Sequence, residues 1–435
     1  AGHRQLVMAA AIILTLLVIL CAPLFAIIAT SALIGFHGED IDLSVIAIEI
    51  YRIVDTPVLL AIPLFTFAGY VLGESKASER LVRLTDALLG WMPGGLAVVS
   101  LLACAFFTAL TGASGATIIA LGAILYPAMK QAGYNERFNL GLITSSGSLG
   151  LLFPPSIALI LYGVIAQQMD LEQPIAIDDL FIAGLLPGIL MIALLIAWSM
   201  YKGVGDRIPT TAFDAGKLFS ALRESIWEIP LPIIMIAGIY SGYIAVSEAA
   251  AVAVLYVLVV DVLILREIKI RQLPSIMRDS MVLVGGVLII LGVSLASTNY
   301  MIDAEIPSKL FEFIREHIDS KLTFLMLLNI FLLLLGMMLD VFSALVIIVP
   351  LTLPIAVGYG IHPVHFGIIF LANMQIGYFT PPVGMNLFIA SYRFNKPVTE
   401  LYHATIPFMI ILFIAVLIIT YWPALSLTLL DLRTG

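Results

Sequence analysis

Thr111-Gly112-Ala113-Ser114-Gly115 opens a stretch that closes on Ser145-Ser146-Gly147-Ser148-Leu149-Gly150-Leu151-Leu152-Phe153-Pro154-Pro155. Tyr126-Pro127 and Gly133 punctuate its middle. A shift of 227 positions, without a gap, brings Pro354, Gly360, Gly377, Pro381 and Pro382 onto Pro127, Gly133, Gly150, Pro154 and Pro155. These five are the only identities between Thr111–Gly163 and Met338–Ala390, and all are glycine or proline. Glycine opens backbone conformations closed to other residues, and proline fixes φ and removes a donor. What recurs is therefore the path of the chain rather than its chemistry. Bilayer helices use both residues freely, but five matches at one offset mark an internal repeat.

Composition places the repeat in a membrane. The chain has 435 residues, 61% hydrophobic and 11% charged, where a globular domain carries about 25% charged residues. Mean hydropathy is +1.10. Apolar runs near the roughly 20 residues that cross a bilayer occur at Leu6–Ile34, Asp55–Gly73, Phe138–Ile165, Asp178–Tyr201, Ile226–Tyr243, Glu248–Leu265, Met281–Thr298, His365–Ser391 and Thr405–Leu430. The first is too long for a removed signal peptide and lacks a small-residue cleavage site. Cys21 and Cys104 lie in apolar segments and define no disulfide or metal framework.

Charge sets an expected orientation. With the N-terminus cytoplasmic and each span changing sides, 16 of the 21 Lys and Arg fall on inner loops. Arg52, Lys309, Arg315, Lys321 and Arg433 remain outside, with the acidic loops Glu39–Asp42 and Asp170–Asp179. This bias follows the positive-inside rule and puts the C-terminus on the outer side. Phe138–Ile165 then runs outward and its counterpart His365–Ser391 inward, so the halves are inverted-topology repeats. That is an architecture of secondary transporters, with sites at the midplane between the repeats.

Gly94–Met129 and Leu322–Val357 each contain a break, at Thr111–Gly115 and Leu339–Ser343. After the first break about 14 apolar residues remain, roughly 21 Å of helix, which suits a re-entrant hairpin. The paired prolines interrupt Phe138–Ile165 and His365–Ser391, giving two broken helices. Glu79–Trp91 sets Leu81, Leu84 and Leu88 on one helical face with Arg80, Arg83 and Asp86 elsewhere, and Pro307–Ile318 sets Leu310, Phe311 and Ile314 against Glu312, Arg315 and Glu316, as interfacial helices do. The expected organisation is a first repeat over 1–201, a cytoplasmic loop at 202–225, an extra span at 226–243, and a second repeat over 244–435. The hairpins cover about 94–129 and 322–357, and the broken helices 138–165 and 365–391. The fold class is an all-α polytopic membrane protein.

A hairpin tip facing a broken helix supplies carbonyls and hydroxyls for a hard cation such as Na+, and helix N-termini for a carboxylate. The first half offers Thr111, Ser114, Ser145, Ser146, Ser148 and the carbonyls near Gly112 and Gly147. The second offers Asp340, Ser343, Asn373, Gln375 and Thr380. Asp340 is the acid that an apolar block puts at a tip, and an ionised group at that depth is functional by default. Some of the serines will instead bond back to helix carbonyls, and Asp261 reads as a weaker candidate or a structural pair. Gly112-Ala113-Ser114-Gly115 also fits an intramembrane serine nucleophile. A serine nucleophile needs a base in reach, and His3, His37, His317, His362, His365 and His403 all lie at interfaces or span ends. An ion channel would more often repeat its filter several times.

Ser114 with its neighbours, the run Ser145–Ser156 and Gln375-Ile376-Gly377-Tyr378-Phe379-Thr380-Pro381-Pro382-Val383-Gly384-Met385-Asn386 resemble the large membrane subunit of tripartite ATP-independent periplasmic (TRAP) transporters. The resemblance spans Leu6 to Leu430. It implies an elevator-type secondary transporter of the bacterial inner membrane, Na+-coupled, importing an organic acid anion delivered by a periplasmic binding protein. Sialic acid, a dicarboxylate, a keto acid and a sulfonate all remain open. One Na+ site would join Gly112 and Ser114 to Ser145, Ser146 and Gly147; the other would join Asp340 and Ser343 to Gly377 and Thr380. The substrate carboxylate would lie between the tips, with Thr111, Ser148, Pro154, Asn373, Gln375 and Pro381 as its candidate contacts. Expected partners are a separate small membrane subunit, the binding protein, the organic anion and membrane lipids, with no nucleic acid. No cofactor and no enzymatic activity are expected, in line with the lack of a phosphate-binding Gly-rich Lys-Ser/Thr loop. A Na+–carboxylate elevator working without a binding protein is the alternative.

Overall fold

The structure is a computed structural model describing residues 12–20, 22–38, 41–52, 56–169, 175–206, 208, 212–241 and 243–434. The chain's start, part of each outer acidic loop and the Arg52 side chain lie outside the described residues.

Every regular element described is helical. The order is α1 (12–19), α2 (Leu24–Gly38), α3 (Ser44–Arg52), α4 (Ala61–Glu74), α5 (Ala77–Leu89), α6 (Gly95–Thr111), α7 (Ser114–Gln131), α8 (Glu136–Ser146), α9 (Ile157–Gln167) and α10 (Ile177–Gly205). Then come α11 (Ala215–Glu224), α12 (Pro230–Tyr240), α13 (Val246–Val257, prolonged by a π-helical turn Leu258–Ile264), α14 (Leu273–Asp303), α15 (Ile306–His317) and α16 (Lys321–Met338). The chain ends with α17 (Val341–Gly358), α18 (Pro363–Gly377), α19 (Met385–Phe394), α20 (Val398–Tyr421) and α21 (Ala424–Thr434). Seven helical stretches among the described residues are long and apolar enough to cross a membrane, and the bent pair α8–α9 can be counted as an eighth.

The two halves repeat residue by residue. Gly133 and Gly360 both take positive φ, at +89° and +70°. Pro127 sits inside α7 and Pro354 inside α17. Pro154–Pro155 and Pro381–Pro382 are both cis. Gly150 lies against the backbone of α6, where a methyl group would come within 2.3 Å of Ala109 N. Its counterpart Gly377 lies against α16, where a methyl group would come within 2.5 Å of Gly336 Cα. Gly336 is itself 227 positions from Ala109, so both members of the contact repeat. Small residues let helix backbones approach this closely. The halves also meet through equivalent residues: Ser148 Oγ donates to Gln375 O at 2.9 Å.

Several boundaries differ from the sequence reading. Leu6–Ile34 is not one helix, because α1 and α2 part around Pro23. Thr405–Leu430 divides at Trp422–Pro423, and α21 packs back onto α10. Within Ile226–Tyr243 the helix is α12, whose 11 residues cover roughly 16 Å at 1.5 Å each. The second hairpin arm, α7, is 18 residues long rather than about 14, as is α17. The apolar count leaves out the tip residues Ser114-Gly115 and the polar end Lys130-Gln131, which α7 includes. Arm length therefore does not separate a re-entrant hairpin from two spans.

Candidate functional site

Gly112 makes the first tip. It caps α6 in the left-handed conformation, φ +67°, donating its N–H to Thr108 O at 2.7 Å. A methyl group there would also come within 2.6 Å of Ile157 Cδ1, so the turn needs glycine twice over. Ala113 is the N-cap of α7 and offers no side-chain acceptor. The first N–H groups of α7 are thus left without an intrahelical partner, at the positive end of its dipole. Behind the tip, Thr108 Oγ1 donates to Gly147 O at 2.9 Å and lies 2.7 Å from Thr117 Oγ1.

The second tip is built on the equivalent residues with the opposite charge. Asp340 occupies the position of Ala113 and is the N-cap of α17. Its Oδ1 accepts the N–H groups of Phe342 and Ser343, both at 3.0 Å, and its Oδ2 accepts the Ser343 hydroxyl at 2.5 Å. Val341 N donates to the Tyr378 hydroxyl at 2.9 Å, fastening the tip to the end of α18. One tip therefore presents an uncapped, partly positive helix end, and the other a carboxylate.

Both tips open into one cavity of about 550 Å³. Thr111, Gly112, Ser114 and Asp340 line it, together with Tyr70 and Glu74 of α4, and Tyr378 and Met385 on either side of the second proline pair. No Lys, Arg or His is among the described lining residues. The volume is that of an ordinary small-molecule site.

The other predicted residues stand behind this wall. Ser145 and Ser146 are fully buried and donate back to Leu142 O and Ile143 O; Thr111 and Thr380 do the same to Phe107 O and Ile376 O. Gly147 packs beside the first tip, with its carbonyl on Thr108. Ser343 serves Asp340, Ser148 bonds to Gln375 O, and Gly377 is pressed on α16. Asn373 donates to Asn329 Oδ1 at 2.7 Å and to Ile369 O, away from the cavity. Gln375 is fully buried, with neither side-chain amide atom hydrogen-bonded. Pro154 lines a separate apolar crevice with Phe106 and Ile233, and Pro381 is partly buried outside both.

Sequence reasoning missed Tyr378, Tyr70 and above all Asn386. Asn386 is fully buried: it accepts the Ser114 hydroxyl on Oδ1 at 3.0 Å and donates from Nδ2 to Thr144 O at 3.3 Å. A polar side chain just past a proline pair, at membrane depth, was the available signal.

The amphipathic segments form helices as expected, α5 and α15, but Arg80 does not lie on the polar face of α5. It is buried between Glu228, whose Oε1 is 2.6 Å from Nε, and Glu267, with which it makes a second ion pair. Burial works against the charged guanidinium, yet the two carboxylates hold its proton more tightly than usual. Glu267 is penalised by burial, but Arg80 and the Lys76 N–H pull it below the ordinary glutamate range. Asp261 is buried beside Glu228 in a small enclosed pocket, and neither of its side-chain oxygens is hydrogen-bonded.

Two repeated helical halves, meeting at a cavity framed by interrupted helices, are an arrangement of multi-pass membrane transport proteins. The comparisons agree. The family described as "Tripartite ATP-independent periplasmic transporter, DctM component" matches residues 6–425, and the chain belongs to it. The C4-dicarboxylate TRAP transporter large permease protein DctM of Rhodobacter capsulatus is 32% identical over 407 residues, covering 91% of this chain and 92% of that protein. The ectoine/5-hydroxyectoine TRAP transporter large permease protein UehC of Ruegeria pomeroyi is 30% identical over 431 residues, covering 98% and 99%. Among solved structures, the Alcanivorax borkumensis YdaH transporter aligns with a TM-score of 0.62 at 16% identity over 86% of each chain, a likeness of fold.

Proposed function

We propose that this chain carries a small organic anion into the cell together with Na+, a cation held at each tip and the anion between them. The observation that carries the reading is the contrast at equivalent positions, Ala113 against Asp340. The open N-terminus of α7 suits a carboxylate, and the Asp340 carboxylate with neighbouring oxygens suits a hard cation. Gly112 and Ser114, backed by Ser145, Ser146 and Gly147, form the first cation site; Asp340 and Ser343, backed by Gly377 and Thr380, form the second. The anion sits between them against Thr111 and the cavity wall. Family membership supports a small membrane subunit and a periplasmic binding protein as partners, and an elevator movement of the hairpins against α4 and α14.

The orientation rests on charge. Ion pairs join residues assigned to one side: Lys396 with Glu136 at 2.7 Å and Arg80 with Glu267 inside, Arg433 with Asp178 at 2.6 Å outside. These contacts agree with the grouping of the loops onto two sides, and the excess of Lys and Arg on one of them makes that side cytoplasmic in this reading, with the C-terminus periplasmic in the inner membrane.

Uptake of radiolabelled dicarboxylate, ectoine and sialic acid into proteoliposomes holding this chain, its small subunit and its binding protein tests the reading. One of these solutes should accumulate under an inward Na+ gradient and stop when K+ replaces Na+. Accumulation that continues without Na+ would sink the coupling.

A further inference from the structure

We infer that Asn386 is a positioning residue that fastens the first tip across the two halves and turns the lone pairs of Ser114 toward the cation. The inference rests on the proposed cation role of the first tip. Asn386 is the second residue of α19, and three different segments converge on it. Its backbone N–H donates to Tyr378 O at 2.8 Å, closing the non-helical turn around the second proline pair. Its Nδ2 reaches Thr144 O, one of the carbonyls near the C-terminal end of α8, where intrahelical donors run out. A carbonyl can only accept, so the amide orientation is decided: Nδ2 faces α8 and Oδ1 faces Ser114.

That orientation sets the chemistry of Ser114. A hydroxyl has one proton and two lone pairs. The Ser114 proton goes to Asn386 Oδ1 at 3.0 Å, which leaves its lone pairs for the cavity that Ser114 lines. Without Asn386 the hydroxyl can rotate to the nearest helix carbonyl, as Ser145 and Ser146 do, or aim its proton at the cation. α7 and α19 pack against each other beside this contact: a methyl group on Gly115 would come within 2.7 Å of Ile389 Cδ1. Residues 114 and 386 belong to opposite repeats, so loading the first cation site is tied to the turn at the second proline pair.

The test measures the half-saturating Na+ concentration for uptake by the complete transporter in proteoliposomes. Asn386→Ala should raise it by about tenfold, the loss of roughly one well-placed hydrogen bond, with little change in maximal rate at saturating Na+. Asn386→Asp keeps an acceptor for Ser114 but sets a second acceptor against Thr144 O, so it should also raise the value. Ser114→Ala should raise the value similarly, and adding Asn386→Ala to it should change nothing more, because the two act through one contact. A fall in maximal rate with unchanged half-saturation, or equal fold-shifts of Asn386→Ala in both backgrounds, would overturn the inference. If Asn386→Ala does not fold, Ser114→Ala still decides: an unmoved value rejects the inference. A wild-type transporter indifferent to Na+ would instead reject the coupling itself.

Discussion

At the scale of single residues, the proposed function turns on the pair Ala113 and Asp340. The two occupy one position in a repeated path, each the N-cap of the helix after its tip, and their side chains give those helix ends opposite character. Asp340→Asn keeps an N-cap for α17 and removes the charge, so uptake should lose Na+ affinity while thermal stability stays near wild type. Asp340→Ala should lose both; a Na+ response unchanged in both variants would remove Asp340 from the site. The reverse change, Ala113→Asp, should stabilise α7 by about 1 kcal/mol yet abolish anion uptake, since a carboxylate would occupy the open helix end. Undiminished uptake by a folded Ala113→Asp transporter would contradict the assignment. Asp340 was legible in the sequence as an acid in an apolar block. That Ala113 leaves a helix end open was not, because an alanine signals nothing until its helix boundary is known.

At the scale of elements, glycine and proline gave the path, and packing explains why they are irreplaceable. Gly150 and Gly377 stand against backbone atoms, so Gly150→Ala and Gly377→Ala should push α6 and α16 away from the segments ahead of the proline pairs. Overpacking of this kind costs roughly 1–3 kcal/mol, and uptake should fall with it. Gly133 and Gly360 have nothing within 4 Å of an added methyl group. Their alanine variants meet only the left-handed backbone penalty, about 1–2 kcal/mol, and should keep transport. Thermal midpoints and uptake of the four variants check this; equal loss of uptake in all four would refute the packing argument. Helix ends at Pro23, Trp422–Pro423 and within 230–240 escaped the sequence reading, because apolar runs continue across them.

Across the whole molecule, α5 is tied to the turn before α12 and the loop after α13 by Arg80, between Glu228 and Glu267. Removing one partner from a buried ion network costs roughly 3–5 kcal/mol, so Arg80→Ala should lower the melting temperature of the solubilised transporter markedly, more than the exposed Arg83→Ala. The same network fixes a pH dependence. Glu267 has a lowered folded-state pKa, so its contribution is present above the unfolded glutamate value of about 4.3 and is lost as pH falls through the lowered value. The melting temperature should hold from pH 8 to about 5 and decline below about 4; a midpoint unchanged down to pH 3 would exclude it.

The sequence by itself determined that this chain lives in a membrane, that its path is traversed twice, and where the two tips and two breaks fall. Hydrophobic length, charge sidedness and Gly/Pro punctuation act locally, so they can be read without partners. Only the tertiary structure decided which hydroxyls face the cavity, that Arg80 is buried, and that Asn386 meets Ser114 across 272 positions. Those outcomes depend on donors and acceptors far apart in the chain. A serine in isolation carries the same hydroxyl whether it bonds back to its own helix or reaches toward an ion.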